Sequence, residues 1–235
     1  MKIASNTKLI TRNNKIGRYT TFASLAVLGV GLYISFTAPE AFSWSLGALV
    51  IGFLLSQVGL TYSSKFGKSP RPDESLTQAL KGLEDKFTLY HYESPTNHLL
   101  VGPAGVWVLL PYFQAGTIRY NAAKNRWTQK GGNFFLKAFG QESLGRPDTE
   151  IQYGINETRK FLEKQLPGTE LPEIRAALLF FNEKTELAVE GAPYPAIKAD
   201  KAKEFFRKRV KDMGIAPDLL RSEERRVGKE CRSRW

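Results

Sequence analysis

Two long runs without a charged side chain dominate the first third of the chain: Tyr19 to Thr37 and, after Ala38-Pro39-Glu40, Ala41 to Ser64. Each reaches the roughly 20 residues an α-helix needs to cross the hydrocarbon core of a bilayer. Three residues between them leave room only for a turn. The pattern predicts a transmembrane helical hairpin over residues 19–63, with spans at about 19–37 and 41–62. Lys2, Lys8, Arg12, Lys15 and Arg18 precede the first span, Lys65, Lys68 and Arg71 follow the second, and Glu40 stands alone in the loop. The positive-inside rule therefore places both termini in the cytoplasm and the chain as a multi-pass protein of the cell membrane, with residues 1–18 as a basic cytoplasmic N-terminus. A cleaved leader fits less well, because the basic segment is long and a second span follows at once. Neither span holds an ionisable acid or base, so transport and proton relay find no support. The hairpin reads as an anchor in the lipid bilayer. Gly29, Gly31, Gly47 and Gly52 allow close helix packing, although no GxxxG pattern stands out.

Beyond a polar linker at 64–73 the pattern turns to alternating short helices and strands. Leu76, Leu80 and Leu83 recur at helical spacing within Glu74 to Lys86, and Phe87 to Tyr92 alternates as a strand does. Leu99 to Val101 and Val106 to Leu110 are strand-forming runs joined by Gly102-Pro103-Ala104-Gly105, which predicts a hairpin. The second run is apolar at nearly every position and suits a strand covered on both faces. Gly116 to Gln129 repeats the hairpin pattern around Asn121-Ala122-Ala123-Lys124-Asn125, so the sheet is expected to begin as an antiparallel meander. Phe134, Phe135, Leu136 and Phe139 fit a short helix or a packed loop. Pro147 suits the first turn of a helix that continues through Ile151, Ile155, Phe161, Leu162 and Leu166. Ile174 to Phe181 reads as a buried strand, Glu186 to Ile197 as a short edge strand and turn, and Ala199 to Met213 as a closing helix.

Asn97-His98, Leu99 to Val101, Gly102-Pro103-Ala104-Gly105-Val106, Trp107, Val108-Leu109 and Leu110-Pro111-Tyr112 together resemble the core of the nuclease-related domain (NERD) family. There the pattern runs Asp-His, three apolar residues, Gly-Pro-x-Gly-Val, an aromatic, two apolar residues, then Glu-x-Lys. Gly145-Arg146-Pro147-Asp148 resembles the Asn-Pro element that opens the family's next helix, with Arg146 where Asn is usual. The resemblance spans residues 74–182 in pattern. It implies a bacterial protein whose residues 74–220 form a PD-(D/E)XK nuclease-like α/β domain with a mixed sheet.

It also implies a lost catalyst. A metal-dependent nuclease needs carboxylate oxygens for Mg2+ and a nearby lysine, and here Asn97, Leu110 and Tyr112 stand in place of the family's Asp, Glu and Lys. Leucine offers no ligand atom, asparagine keeps an oxygen without the charge, and tyrosine is not cationic. The resulting expectation is a pseudoenzyme without cofactor or metal that acts as a binding or scaffold module for a protein partner or nucleic acid. The alternative is an active Mg2+-dependent nuclease whose carboxylates have moved, with Glu93 grouped with Glu150 or Glu157, and Asp148 nearby in sequence. His98 occupies the family's His position and is read as a structural hydrogen-bonding residue.

Charge and cysteine usage sharpen this only after the end of the chain is set aside. Residues 221–235, RSEERRVGKECRSRW, look like a translated sequencing-library adapter and are left out of the fold. They carry +3 of the net +11 and hold Cys231, the single cysteine. Without it, disulfides, thiol catalysis and cysteine-bound zinc are excluded, and His91 and His98 are too few for a His-rich metal site. Residues 63–220 carry 23 basic and 19 acidic residues, so the main domain is only mildly basic. Lys201, Lys203, Arg207, Lys208 and Lys211 of the last helix are the remaining candidate binding surface, for anionic lipid, against the plainer reading of a solvated helix face. No phosphate-binding glycine loop, nucleophile elbow or internal repeat is visible.

Overall fold

A computed structural model of the chain describes residues 1–132 and 144–213. Phe134, Phe135, Leu136 and Phe139 lie outside the described residues, as does everything after Met213. The described residues form two compact units: Asn6–Glu74, and Met1–Ser5 together with the chain from Ser75 onward.

In the first unit α1 (Thr7–Thr37) and α2 (Phe42–Phe66) are joined by a 3-10 turn at Pro39–Ala41. Asn6 caps α1 by accepting the Leu9 N–H at 2.9 Å. The helix thus begins twelve residues before the first apolar span, because the cap and not the hydropathy sets its start. Its buried positions are Ile10, Gly17, Ser24 and Gly31, and those of α2 are Ser45, Gly52, Gly59 and Phe66. Both series repeat every seven residues, the period that holds one face of a helix against a partner in a left-handed supercoil. Gly31 and Gly52 therefore sit where the helices meet, with Gly17 and Gly59 beside them. Gly29 and Gly47 face open space. Within the contact the Ser45 hydroxyl donates to the Gly31 carbonyl at 2.8 Å.

Outward faces carry Phe22, Leu25, Tyr33, Phe36, Phe42 and Trp44, with Phe36 and Trp44 both 79% exposed. Both helices are long and apolar enough to cross a membrane. Phe36, Phe42 and Trp44 stand near the turn, and Tyr19 lies toward the other end of α1.

The second unit is an α/β structure around a mixed sheet. Its strands are β1 (Lys2–Ser5), β2 (Thr88–His91), β3 (His98–Gly102), β4 (Gly105–Tyr112), β7 (Ile174–Phe180) and β9 (Ala196–Lys198), in that order across the sheet. β2, β3 and β4 are antiparallel neighbours, whereas β1 runs parallel to β2, and β7 and β9 continue parallel from β4. One face packs on α3 (Pro72–Leu80) and α5 (Ala199–Met213) through Leu76, Leu80, Leu100, Trp107, Leu179 and Phe206. The other packs on α4 (Pro147–Gln165) through Val101, Val108, Ile151, Leu162 and Leu178. β4 is buried on both sides, as its continuous apolar run predicts.

Three expectations change. The leading helix stops at Leu80, and Gly82 turns the chain with φ +87° while Leu83 still reaches the core. β5 (Gly116–Asn121) and β6 (Arg126–Lys130) do not extend the meander. They pair in a second, three-stranded sheet with β8 (Thr185–Ala188), which runs parallel to β5. Gly116 makes that departure feasible: its φ is +98°, and a Cβ there would lie 2.5 Å from the Lys130 carbonyl oxygen. Finally, the first residues form a strand at the sheet edge rather than only a basic leader.

Candidate functional site

The positions that the family resemblance singles out gather at one end of β3 and β4. Leu99 pairs with Val108, so continuing the register sets Asn97 opposite Leu110. Along β4, side chains alternate between faces, and Val108, Leu110 and Tyr112 belong to the cluster beneath α4. The helix approaches closely because Gly154 faces Val108 and Thr96; a Cβ there would stand 3.0 Å from Val108 Cγ1.

Asn97 is exposed, and its carbonyl accepts the Tyr92 N–H at 2.8 Å. Tyr92 holds φ +58°, which shapes the loop between β2 and β3. Leu110 is half-buried. Tyr112 is buried and stacks on Phe180 with ring centroids 5.3 Å apart. Its hydroxyl donates to Glu150 Oε2 at 3.1 Å. Burial, and then the charge of Glu150, push its pKa far above the ordinary tyrosine value, so Tyr112 acts as a neutral donor.

Glu150 and Asp148 are the acids of the first turn of α4, where they complement the helix dipole. Asp148 is engaged as well, since Trp127 Nε1 on β6 donates to its Oδ1 at 2.8 Å. Two aromatic donors therefore hold the two first-turn carboxylates of α4. Glu93 is half-buried in the β2–β3 loop, and Glu157 pairs with Lys160 at 2.9 Å on α4. Among the described residues no group of three or more His, Cys, Asp or Glu is placed to hold a metal ion.

On the opposite face lies an arrangement that sequence reading treated as separate residues. His91 and His98 are cross-strand partners with Nδ1 atoms 2.9 Å apart, and Thr77 Oγ1 is 2.9 Å from His91 Nε2. Two ring nitrogens at that distance need one proton between them, so one donates and the other accepts. Burial and the neighbouring His91 hold the pKa of His98 well below the usual histidine value. Their separation by seven residues across a strand–loop–strand segment was the available signal, although the pairing depends on the loop geometry. The Tyr112–Glu150 and Trp127–Asp148 contacts had no comparable sequence signal.

The basic surface of α5 is smaller than its sequence suggests. Arg207 donates to the Gly82 carbonyl at 2.9 Å, and Lys203 is half-buried beside Gly82. Lys201, Lys208 and Lys211 remain exposed on the helix, interspersed with exposed Glu204 and Asp212. Trp107 and Trp127 are both buried and do not form base-stacking platforms. No protein-family model, curated protein or solved structure matches the chain.

Proposed function

We propose that the chain is a membrane-anchored, nuclease-like domain that lacks nuclease chemistry and serves as a binding or scaffold module on the cytoplasmic face of the cell membrane. The observation that carries this reading is the replacement at the end of β4. Leu110 and Tyr112 occupy the positions where the NERD resemblance implies a metal-binding carboxylate and a lysine, and the Tyr112 hydroxyl engages Glu150. A carboxylate already accepting from a neutral buried phenol, with an apolar side chain beside it, offers Mg2+ a poor set of ligands. The mixed sheet between helices is compatible with the nuclease-like fold.

Connectivity supports the anchoring role. β1 lies in the sheet before α1, and the chain returns to the same sheet after α2. In this reading both ends of the hairpin lie on one side of the membrane, and the flanking lysines and arginines favour the cytoplasm. The partner is a protein or a nucleic acid.

The test is cleavage of labelled single- and double-stranded DNA by the full chain in lipid nanodiscs, with and without Mg2+ or Mn2+. No cleavage by integrated, folded protein is expected. Metal-dependent cleavage abolished by Glu93→Ala, Glu150→Ala or Glu157→Ala would replace this reading with that of an active nuclease using relocated carboxylates.

A further inference from the structure

The first three turns of α1 carry charge that neither the nuclease-like reading nor the helix contact uses. No Asp or Glu precedes Glu40, and Lys8, Arg12, Lys15 and Arg18 are all exposed. Lys8, Arg12 and Lys15 follow a four- and three-residue spacing and share one helical face. Ile10 and Gly17, which are buried, lie on the opposite one.

The contacts between α1 and α2 fix the levels of these residues. A Cβ on Gly59 would meet Thr21, one on Gly52 would meet Leu28, one on Gly31 would meet Ala48, and one on Gly17 would meet Ser63. Extending that antiparallel register sets Lys15 level with Lys65, and Lys68 lies in the turn after α2, where its N–H donates to the Ser63 carbonyl at 3.1 Å. Lys65 and Lys68 are exposed too. Among the described residues none of these six cations forms an ion pair. Arg71, by contrast, is held by Asp73 at 3.0 Å and Glu74 at 2.9 Å and adds little net charge.

Depth follows from helix geometry. The uncharged span begins at Tyr19, and α-helical rise is about 1.5 Å per residue. Arg18 thus sits at the edge of the apolar core, Lys15 and Lys65 lie about 6 Å beyond it, and Arg12 lies about 10 Å beyond it. The headgroup layer occupies roughly 5–7 Å on each side of a bilayer. Arg18, Lys15 and Lys65 fall within that layer, while Arg12 lies within about one further Debye length. The Arg18 guanidinium stands 6.0 Å from the centre of the Phe22 ring, a cation bridging apolar and polar zones.

From this placement we infer that Lys15, Arg18 and Lys65, backed by Arg12 and Lys68, form a cationic collar that selects anionic phospholipid headgroups around the base of the hairpin. The inference rests on the membrane-anchor reading and adds the lipid class that the anchor prefers. Charge complementarity argues for this occupant: Lys15, Arg18 and Lys65 lie in the layer of phosphates with two further cations nearby, and no carboxylate competes on α1.

The test uses the full chain, expressed in membranes and first checked for integration by alkaline extraction. Integrated protein is then reconstituted with equal phosphatidylglycerol and phosphatidylcholine, and retained lipids are counted by native mass spectrometry. The expected result is enrichment of phosphatidylglycerol, reduced about fivefold for each collar cation removed. Lys15→Gln, Arg18→Gln and Lys65→Gln together should abolish the preference, whereas Lys15→Arg with Lys65→Arg should keep it. Lys201→Gln, Lys208→Gln and Lys211→Gln together should leave it unchanged. Equal retention of the two lipids by integrated wild-type protein overturns the inference while leaving the anchor intact. Loss of the preference in the α5 variant, or displacement of the lipid by millimolar inorganic phosphate, also overturns it. Extraction of the wild-type chain at alkaline pH removes the anchor reading itself.

Discussion

The contact between Tyr112 and Glu150 predicts a specific failure of additivity. Tyr112→Phe keeps the ring stacked on Phe180 and removes the hydroxyl that donates to Glu150 at 3.1 Å. Glu150 is exposed and returns to water, so the cost is that of one hydrogen bond, about 1 kcal/mol. Glu150→Ala is harsher, because it strands a hydroxyl on a side chain only 6% exposed. An orphaned buried donor costs about 1–3 kcal/mol, and the lost first-turn charge adds about 0.5 kcal/mol. In the double variant the stranded hydroxyl no longer exists. Its cost should therefore fall short of the sum of the single costs by about 1–1.5 kcal/mol.

The assay is urea unfolding of the full chain in detergent micelles, followed by tryptophan fluorescence. Trp107 and Trp127 are 2% and 5% exposed and report on the α/β unit, while Trp44 is already 79% exposed. Additivity within about 0.3 kcal/mol would refute the claim that Glu150 is engaged by Tyr112. The same pair sets an alkaline limit. The folded pKa of Tyr112 is raised, so between its unfolded value near 10 and its higher folded value the unfolded chain loses a proton that the folded chain retains. Stability should therefore fall as pH rises above about 10, and Tyr112→Phe should weaken that fall.

Thr158 is fully buried on α4, and among the described residues its hydroxyl has no hydrogen-bond partner. Thr158→Val should raise the urea midpoint by an amount equivalent to about 1 kcal/mol; a lowered midpoint would show that the hydroxyl is satisfied. The depressed pKa of His98 means that the unfolded state takes up a proton first. Stability should fall as pH drops below about 6.5, by up to roughly 1.4 kcal/mol per pH unit until the folded pKa is reached. A profile with no such slope between pH 7 and 5, or an equal slope in His98→Gln, would count against it. In the hairpin, a Cβ at Gly59 would lie 2.5 Å from Thr21 Oγ1 and 3.0 Å from the Thr21 backbone nitrogen. Gly59→Ala should force the helices apart at a cost of about 1–3 kcal/mol, read as a lower melting temperature in nanodiscs. Gly47→Ala, which enters open space, should not lower it.

What the sequence made legible was periodic. α5 spans Ala199–Met213 as its apolar spacing predicts, β7 lies within the Ile174–Phe181 run, and the Gly102–Gly105 turn joins β3 to β4. Each of these segments carries its own burial pattern, so local reading suffices. The allocation of β5 and β6 was not legible, because both the expected meander and the actual second sheet use the same hairpin. Their separation depends on β8, more than fifty residues later, pairing parallel with β5. The candidate site divides in the same way. Asn97, Leu110 and Tyr112 were singled out only by a resemblance in pattern, whereas the partner of Tyr112 lies 38 residues away on a helix. The use of the α4 acids by two aromatic side chains emerges only when the sheet and helix are assembled.

β1 shows why such context alters more than detail. Lys2-Ile3-Ala4-Ser5 is too short and too mixed to announce a strand, and it becomes one because β2 offers a free edge in parallel register from Thr88 to His91. Asn6 alone separates that strand from α1. The apolar hairpin is thus inserted into the α/β unit rather than placed before it. Sheet strands stand on both sides of the insertion in sequence, β1 before α1 and β2 after α3. The same connectivity rules out treating the chain from the linker onward as an intact α/β unit. Removing Met1–Ser5 leaves the β2 edge with unpaired backbone donors and acceptors, a surface prone to pairing with another chain. The apolar hairpin and the α/β unit are therefore coupled by the strand order itself, and tests of binding should retain both.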